Sequence, residues 1–189
     1  MSTDHGHRPS SRESILAATA EHLRGGGTIS LDSAARAAGV TKPGLMYHFG
    51  TKEELMSALL DHLMSRYEVD LRRRLAGTDE EADVASVDVR TRLRAYVDWV
   101  CETSYDVTDL VIFTDPRLRE SLTRRWSERL EPWLAIPTGT PEEEHARLLA
   151  ARLMADGLWL DEASGVLPLP RAKKRAVGDV ALDLIGAAR

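Results

Sequence analysis

Residues Val40 to Phe49, V-T-K-P-G-L-M-Y-H-F, with the Ala-rich run Leu31 to Ala38 and Gly39 before them, constrain this chain more than any other stretch. Alanine costs almost nothing in side-chain entropy, so Leu31 to Ala38 predicts a short helix, and Gly39 can take the left-handed backbone that closes it. Thr41 offers a hydroxyl N-cap to a second helix, and Pro43 lies in its first turn, where a fixed φ and a missing N–H do no harm. Two helices joined by so short a turn form a helix-turn-helix. By i, i+4 logic Val40, Leu45 and Phe49 anchor the second helix inward, which leaves Thr41, Lys42, Tyr47 and His48 facing outward.

Ala35, Ala38-Gly39-Val40-Thr41-Lys42, Leu45, Tyr47-His48-Phe49 and Thr51-Lys52-Glu53-Glu54-Leu55 stand in an order that reaches beyond the turn itself. From about Ser11 to Leu60 the chain resembles the N-terminal domain of TetR-type transcriptional regulators. It departs from that pattern at Ala34, at Met46 and at Pro43-Gly44; Gly44 has no side chain with which to read a base. The resemblance implies an all-α fold, in which an N-terminal three-helix DNA-binding domain is joined by a long helix 4 to a helical C-terminal domain for ligand binding and dimerisation. The expected divisions are an arm over 1–10, a helix-turn-helix domain over 11–50 and the second domain over 51–189, with helix 4 as connector. Candidate DNA contacts are Ser30, Thr41, Lys42, Pro43, Gly44, Tyr47, His48 and Lys52. Hydroxyls suit phosphate oxygens, a lysine reaches phosphate or a guanine edge, and His48 can donate to phosphate or stack on sugar.

The net charge of −5 fits poorly with nucleic acid until it is divided. Residues 1–74 hold 10 Lys/Arg against 9 Asp/Glu, leaving 15 against 21 for residues 75–189. The first part is thus nearly neutral and the second acidic, so counterion release by one subunit is modest and two subunits are expected to bind together. With 189 residues and 43% hydrophobic content the chain can bury a substantial core. It has no apolar run of membrane-spanning length, and Met1 to Arg12 lacks the apolar centre of a signal peptide, so a cytoplasmic protein without membrane partners is expected. The single Cys101 excludes an internal disulfide and reads as a small buried helix residue. His5 and His7 lack a nearby third ligand, so no metal is expected, and Gly25-Gly26-Gly27 lacks the context of a phosphate loop. No cofactor is implied.

Ile15, Leu16, Thr19, Ala20 and Leu23 at helical spacing predict a first helix from Ser11 to Arg24, stopped by the triple glycine. Ser30 is the expected N-cap of the next. Thr51-Lys52-Glu53-Glu54 has the form of a capping box opening a long helix to Arg74, and its N-terminal N–H groups with Lys52 suit a DNA phosphate. Arg72-Arg73-Arg74 reads as a solvated helix end. Gly77 to Ser86 is expected to be a linker. Only helical patterns follow: Val89 to about Tyr105, a short helix from Thr108 to Phe113, Pro116 to Trp133 capped by Asp115, Pro141 to about Ala163, and Arg171 to Ala188.

The two last long helices carry stripes of small and apolar residues. Ala146, Leu149, Ala150, Leu153 and Gly157 lie on one, and Ala172, Ala176, Val177, Val180, Ala181, Leu184 and Ile185 on the other. Two such pairs make a four-helix homodimer interface, as in the family, and would set two recognition helices about 34–36 Å apart on a pseudo-palindromic operator. The four tryptophans all fall in the second part of the chain. Trp99, Glu102 and Asp106, at i, i+3 and i+7, put an aromatic face and two carboxylates on one side, a composition suited to a lipophilic cation. Phe113, Trp126, Met154, Leu158 and Asp161 are further candidates for a ligand site. An uncharged lipophilic ligand or a metabolite fits equally. The expected function is a ligand-responsive DNA-binding regulator, a repressor released by a small effector. An adaptor that has lost DNA binding is the alternative, and H-E-x-x-H and G-x-S-x-G motifs, which an enzyme would need, do not occur.

Overall fold

The structure, a computed structural model, describes residues 11–75 and 83–186. The arm over 1–10, with His5 and His7, most of the expected linker (76–82) and the last three residues lie outside the described residues. Eight α-helices and no strand occur among the described residues: α1 Ser11–Arg24, α2 Leu31–Ala37, α3 Lys42–His48, α4 Lys52–Arg72, α5 Val89–Glu102, α6 Arg119–Leu134, α7 Glu142–Ser164 and α8 Arg171–Gly186. Two 3-10 segments, Val84–Ser86 and Val107–Phe113, precede α5 and α6.

Local chemistry sets most of these bounds. Ser30 accepts the Ser33 N–H and its own N–H is taken by the Ser33 hydroxyl, a reciprocal cap on α2. Gly39 closes α2 at φ +65°, a conformation that glycine takes without strain, and the Val40 N–H returns to the Ala35 carbonyl. Thr41 caps α3 by accepting the Gly44 N–H, and Thr51 caps α4 by accepting that of Glu54. The expected capping box at Thr51 is offset, because the Glu54 carboxylate accepts from the Gly50 N–H at 2.7 Å. The chain bends at Gly50, which brings that donor within reach first.

α4 stops at Arg72, two residues before the expected Arg74, and the bounds around α5 and α6 differ more. α5 ends at Glu102, and the segment expected to be a helix over Thr108 to Phe113 is a 3-10 segment, Val107–Phe113, kinked at Leu110. α6 begins at Arg119, since Asp115 caps only a separate turn by accepting the Arg117 N–H at 2.9 Å. Val40 is 37% exposed, unlike buried Leu45 and Phe49. It sits in the turn before α3, so the i, i+4 register of the helix does not govern it.

α1, α2 and α3 pack with the first turns of α4 around Ile15, Leu16, Ala34, Leu45, Phe49 and Leu55. Further along, α4 is buried on several faces at once by Leu59, Leu60, Leu63, Met64 and Tyr67, because it packs on α1, α5, α6 and the second 3-10 segment. α5, α7 and α8 pack on one another to form the rest of the core. The closest approach is at Gly178, where a Cβ would lie 2.3 Å from Cys101 Sγ. Two buried cations close helix ends. Arg92 donates from Nε to Val87 O at 2.9 Å and from its Nη atoms to the carbonyls of Pro132 and Ala135 at the end of α6. Lys174 donates to Thr103 O at 2.8 Å, pairs with Glu162 and lies over the Tyr105 ring.

Candidate functional site

The exposed face of α3 is built by its caps. Buried Leu45 and Phe49 fix the helix by one side, and Tyr47, one turn away from neither, is 86% exposed. So extensive an exposure of an aromatic ring offers contact area to a partner. Thr41, Lys42 and Pro43 are exposed with it. His48 is half-buried: it meets Ser11 Oγ at 3.1 Å through Nε2 and packs edge-on to Tyr47 at 5.2 Å. Ser30 is exposed but its hydroxyl is committed to the cap of α2. Gly44 brings its N–H to Thr41 Oγ1, and a Cβ there would meet that oxygen at 3.1 Å, which is a local reason for glycine at this place.

Neither lysine of this surface stands alone. Lys42 Nζ lies 3.0 Å from Asp32 Oδ2 on α2. Lys52, at the start of α4, lies 2.6 Å from Asp115, which belongs to the turn before α6. This lysine holds the Asp115 carboxyl below its ordinary range, helped by the Arg117 N–H. Arg24 at the end of α1 reaches Asp106 at 2.7 Å. Two contacts therefore tie the N-terminal helices to the segment from Asp106 to Asp115, a relation that nothing local in the sequence signals.

A cavity of about 630 Å³ lies between α5, α6, α7 and the end of the second 3-10 segment. Its wall is Tyr96, Phe113, Trp126, Leu130, Leu134, Trp159 and Leu160, with Ser127, Glu131, Ala135, Arg152, Asp156 and Gly157. The size and the mostly apolar wall with few polar groups are those of a small-molecule site. Tyr96 donates to Asp156 Oδ1 at 2.8 Å, and Arg152 Nε is 3.7 Å from Asp156 Oδ2. Burial raises the Asp156 carboxyl above its ordinary range against both of these partners.

Of the eight side chains expected at a ligand site, Phe113 and Trp126 line this cavity, whereas Trp99, Glu102, Asp106, Met154, Leu158 and Asp161 do not. Trp99 is core, 4.8 Å from the Tyr67 ring and 5.4 Å from that of Tyr105. The expected shared face of Trp99, Glu102 and Asp106 does not form, because α5 ends at Glu102. Glu102 points to Arg74 at 3.0 Å, and Asp106 caps the 3-10 segment and pairs with Arg24. Sequence reasoning missed Tyr96, Arg152, Asp156 and Trp159. The last three recur at i, i+4 and i+7 along α7, a stripe visible in the sequence, but its facing partner is α6, which no local signal names.

The helix that walls the cavity is also tied to the middle and the last turns of α4. α6 supplies Trp126, Leu130 and Leu134 to the wall and is clamped to α4 by two arginines. Arg125 holds Asp61 through two contacts of 2.6 Å, and Arg129 holds Glu68 at 2.6 and 2.8 Å. Forked guanidinium–carboxylate pairs resist rotation better than single contacts.

Two family models match the chain: "Bacterial regulatory proteins, tetR family" over residues 15–59 and "Tetracyclin repressor-like, C-terminal domain" over residues 90–185. Similar solved structures include a protein from Rhodococcus sp. described as a TetR-family transcriptional regulator, at 17% identity and TM-score 0.67, covering 94% of this chain and 99% of that one. The multidrug binding protein EbrR complexed with imidazole is similar at 20% identity and TM-score 0.60, over 96% and 98%. The fatty acid degradation regulator FadR from Bacillus halodurans is similar at 14% identity and TM-score 0.62, over 96% and 98%. At these identities the likeness concerns the fold. No curated protein matches the sequence significantly.

Proposed function

Because the chain belongs to the TetR family of bacterial regulatory proteins, whose members are dimeric DNA-binding transcriptional regulators with small-molecule effectors, we propose that it is a cytoplasmic repressor released from a pseudo-palindromic operator by a lipophilic molecule in the cavity of α5, α6 and α7. The observation that carries this reading is the outward face of α3, where Tyr47 is 86% exposed beside Thr41 and Lys42 while Leu45 and Phe49 hold the helix from behind. In a major groove these side chains reach phosphates and base edges. Lys52 adds a phosphate contact once it exchanges Asp115 for DNA. Ser30, Pro43, Gly44 and His48 lie around the same surface and complete the proposed interface.

The dimer forms through α7 and α8. Leu153 and Leu160 on α7 and Val180 on α8 are about half exposed, and Ala146, Gly157, Ala172 and Ala176 are exposed small residues that permit close approach. Ala181 and Ile185, expected on this face, are instead buried within the subunit and serve its own core. The effector acts by differential affinity. Filling the cavity moves α6, the arginine clamps carry that movement to α4, and the spacing of the two α3 helices changes, so ligand and DNA weaken each other by one coupling factor.

The test is fluorescence anisotropy of a labelled fragment from upstream of the protein's own gene, with sedimentation to follow the oligomer. Salt-dependent binding of a dimer that Tyr47→Ala weakens supports the proposal. A monomer, or binding to that fragment indifferent to Tyr47→Ala, refutes it.

A further inference from the structure

The polar groups of the cavity are unevenly provided for, and the imbalance has a sign. Its carboxylate Asp156 is occupied, accepting from Tyr96 at 2.8 Å with Arg152 nearby. Glu131 is exposed at the rim, where water screens it. Two buried donors of the wall are not occupied. Arg152 Nε is closed off from solvent and has no hydrogen-bond acceptor, since Asp156 Oδ2 at 3.7 Å lies beyond bonding distance. Trp159 Nε1, two turns further along the same face of α7, is likewise buried without an acceptor. Among the described residues four buried side-chain atoms lack a partner, all are donors, and these two belong to the cavity wall. A buried donor left without an acceptor is a standing cost to the fold that a ligand oxygen can remove.

We propose that the effector is an apolar carboxylate, its acid group received by the Arg152 guanidinium and its body lying against Trp126, Trp159, Leu130 and Leu134. Arginine presents five N–H donors in a planar fork matched to a carboxylate, and the surrounding aromatic wall strengthens the contact by excluding water. A cationic effector would meet the Arg152 guanidinium, whose Nε has no hydrogen-bond acceptor, and would find the buried carboxylate Asp156 already occupied by Tyr96. The two carboxylates that the sequence offers to a cation, Glu102 and Asp106, face Arg74 and Arg24 away from the cavity. The inference rests on the proposal that this cavity is the effector site.

Its test is calorimetric titration of the full chain with dodecanoate, dodecanol and dodecyltrimethylammonium, each below its micelle concentration, so that only the head group varies. Dodecanoate is expected to bind about tenfold or more tightly than dodecanol, and the ammonium most weakly. Arg152→Met should weaken dodecanoate about tenfold or more beyond whatever it does to dodecanol, so that the two approach each other, and Arg152→Lys should keep part of the preference. A urea unfolding midpoint close to that of the unsubstituted chain shows that the variant is folded. Tighter binding of the ammonium, or a dodecanoate preference that survives Arg152→Met, overturns the carboxylate and leaves the cavity as effector site. If none of the three binds, the cavity reading falls and this inference with it.

Discussion

The pair Tyr67 and Asp109 joins α4 to the second 3-10 segment in the core, and its acid sets a pH dependence whose size can be worked out. Asp109 is 6% exposed and accepts hydrogen bonds from the Tyr67 hydroxyl and from the Asp106 N–H, the latter at 2.6 Å. Donors favour the charged carboxylate and burial opposes it; here burial prevails and raises the acid from its ordinary 3.8 to about 6. The folded chain therefore keeps a proton that the unfolded chain has already lost across the interval between those values. Stability from this group is complete below the unfolded value and declines as pH rises through the folded one. At about 1.36 kcal/mol per pKa unit, a rise of about two units makes the decline about 3 kcal/mol. Asp109→Asn cannot titrate, so urea unfolding of both proteins at fixed protein concentration from pH 4 to 7 isolates the effect. Wild-type stability minus variant stability should fall by about 2.4 kcal/mol over that range, the remainder of the decline lying below pH 4. The variant also loses one acceptor, but that loss is the same at every pH. A difference that is flat, or that grows with pH, would show that the Tyr67 and Asp106 donors outweigh burial and would refute the reasoning.

Three further outcomes are expected. Asp115→Asn frees Lys52 for phosphate, so DNA binding tightens at low salt and its logarithmic salt slope steepens by about one per subunit, measured by anisotropy against salt concentration. Gly178→Ala drives a methyl group into Cys101 Sγ, 2.3 Å from the new Cβ, and should destabilise the chain by about 1–3 kcal/mol in urea; Cys101→Ala in the same chain should recover most of that, and additive losses would contradict the close approach. Replacing Arg125 and Arg129 together by Met cuts the clamp between α6 and α4, so dodecanoate titrated by calorimetry should bind as before but no longer release DNA. Retained release would place the coupling elsewhere.

Much of this chain is decided within a turn or two of sequence. Ser30, Thr41 and Thr51 cap the helices they precede, Gly39 takes the left-handed conformation its place demands, and the buried face of α1 is Ile15, Leu16, Thr19, Ala20 and Leu23, as their spacing implies. Those signals are legible because their physics is local: a hydroxyl meets an N–H three residues on, and apolar side chains recur every three or four residues. The outward face of α3 was legible for the same reason, since two anchors fix it. What lies across from each helix has no such signature. Trp99 packs against Tyr67, Arg92 closes the end of α6, Lys52 finds Asp115, and the cavity takes one wall from α6 and another from α7. These partners are roughly 25 to 65 residues apart in the chain, a separation that side-chain periodicity does not encode. Tertiary packing alone chooses them, because a helix with apolar residues on several faces can lose water from any of them, and its neighbours decide which face closes on the core and which is left to line a site.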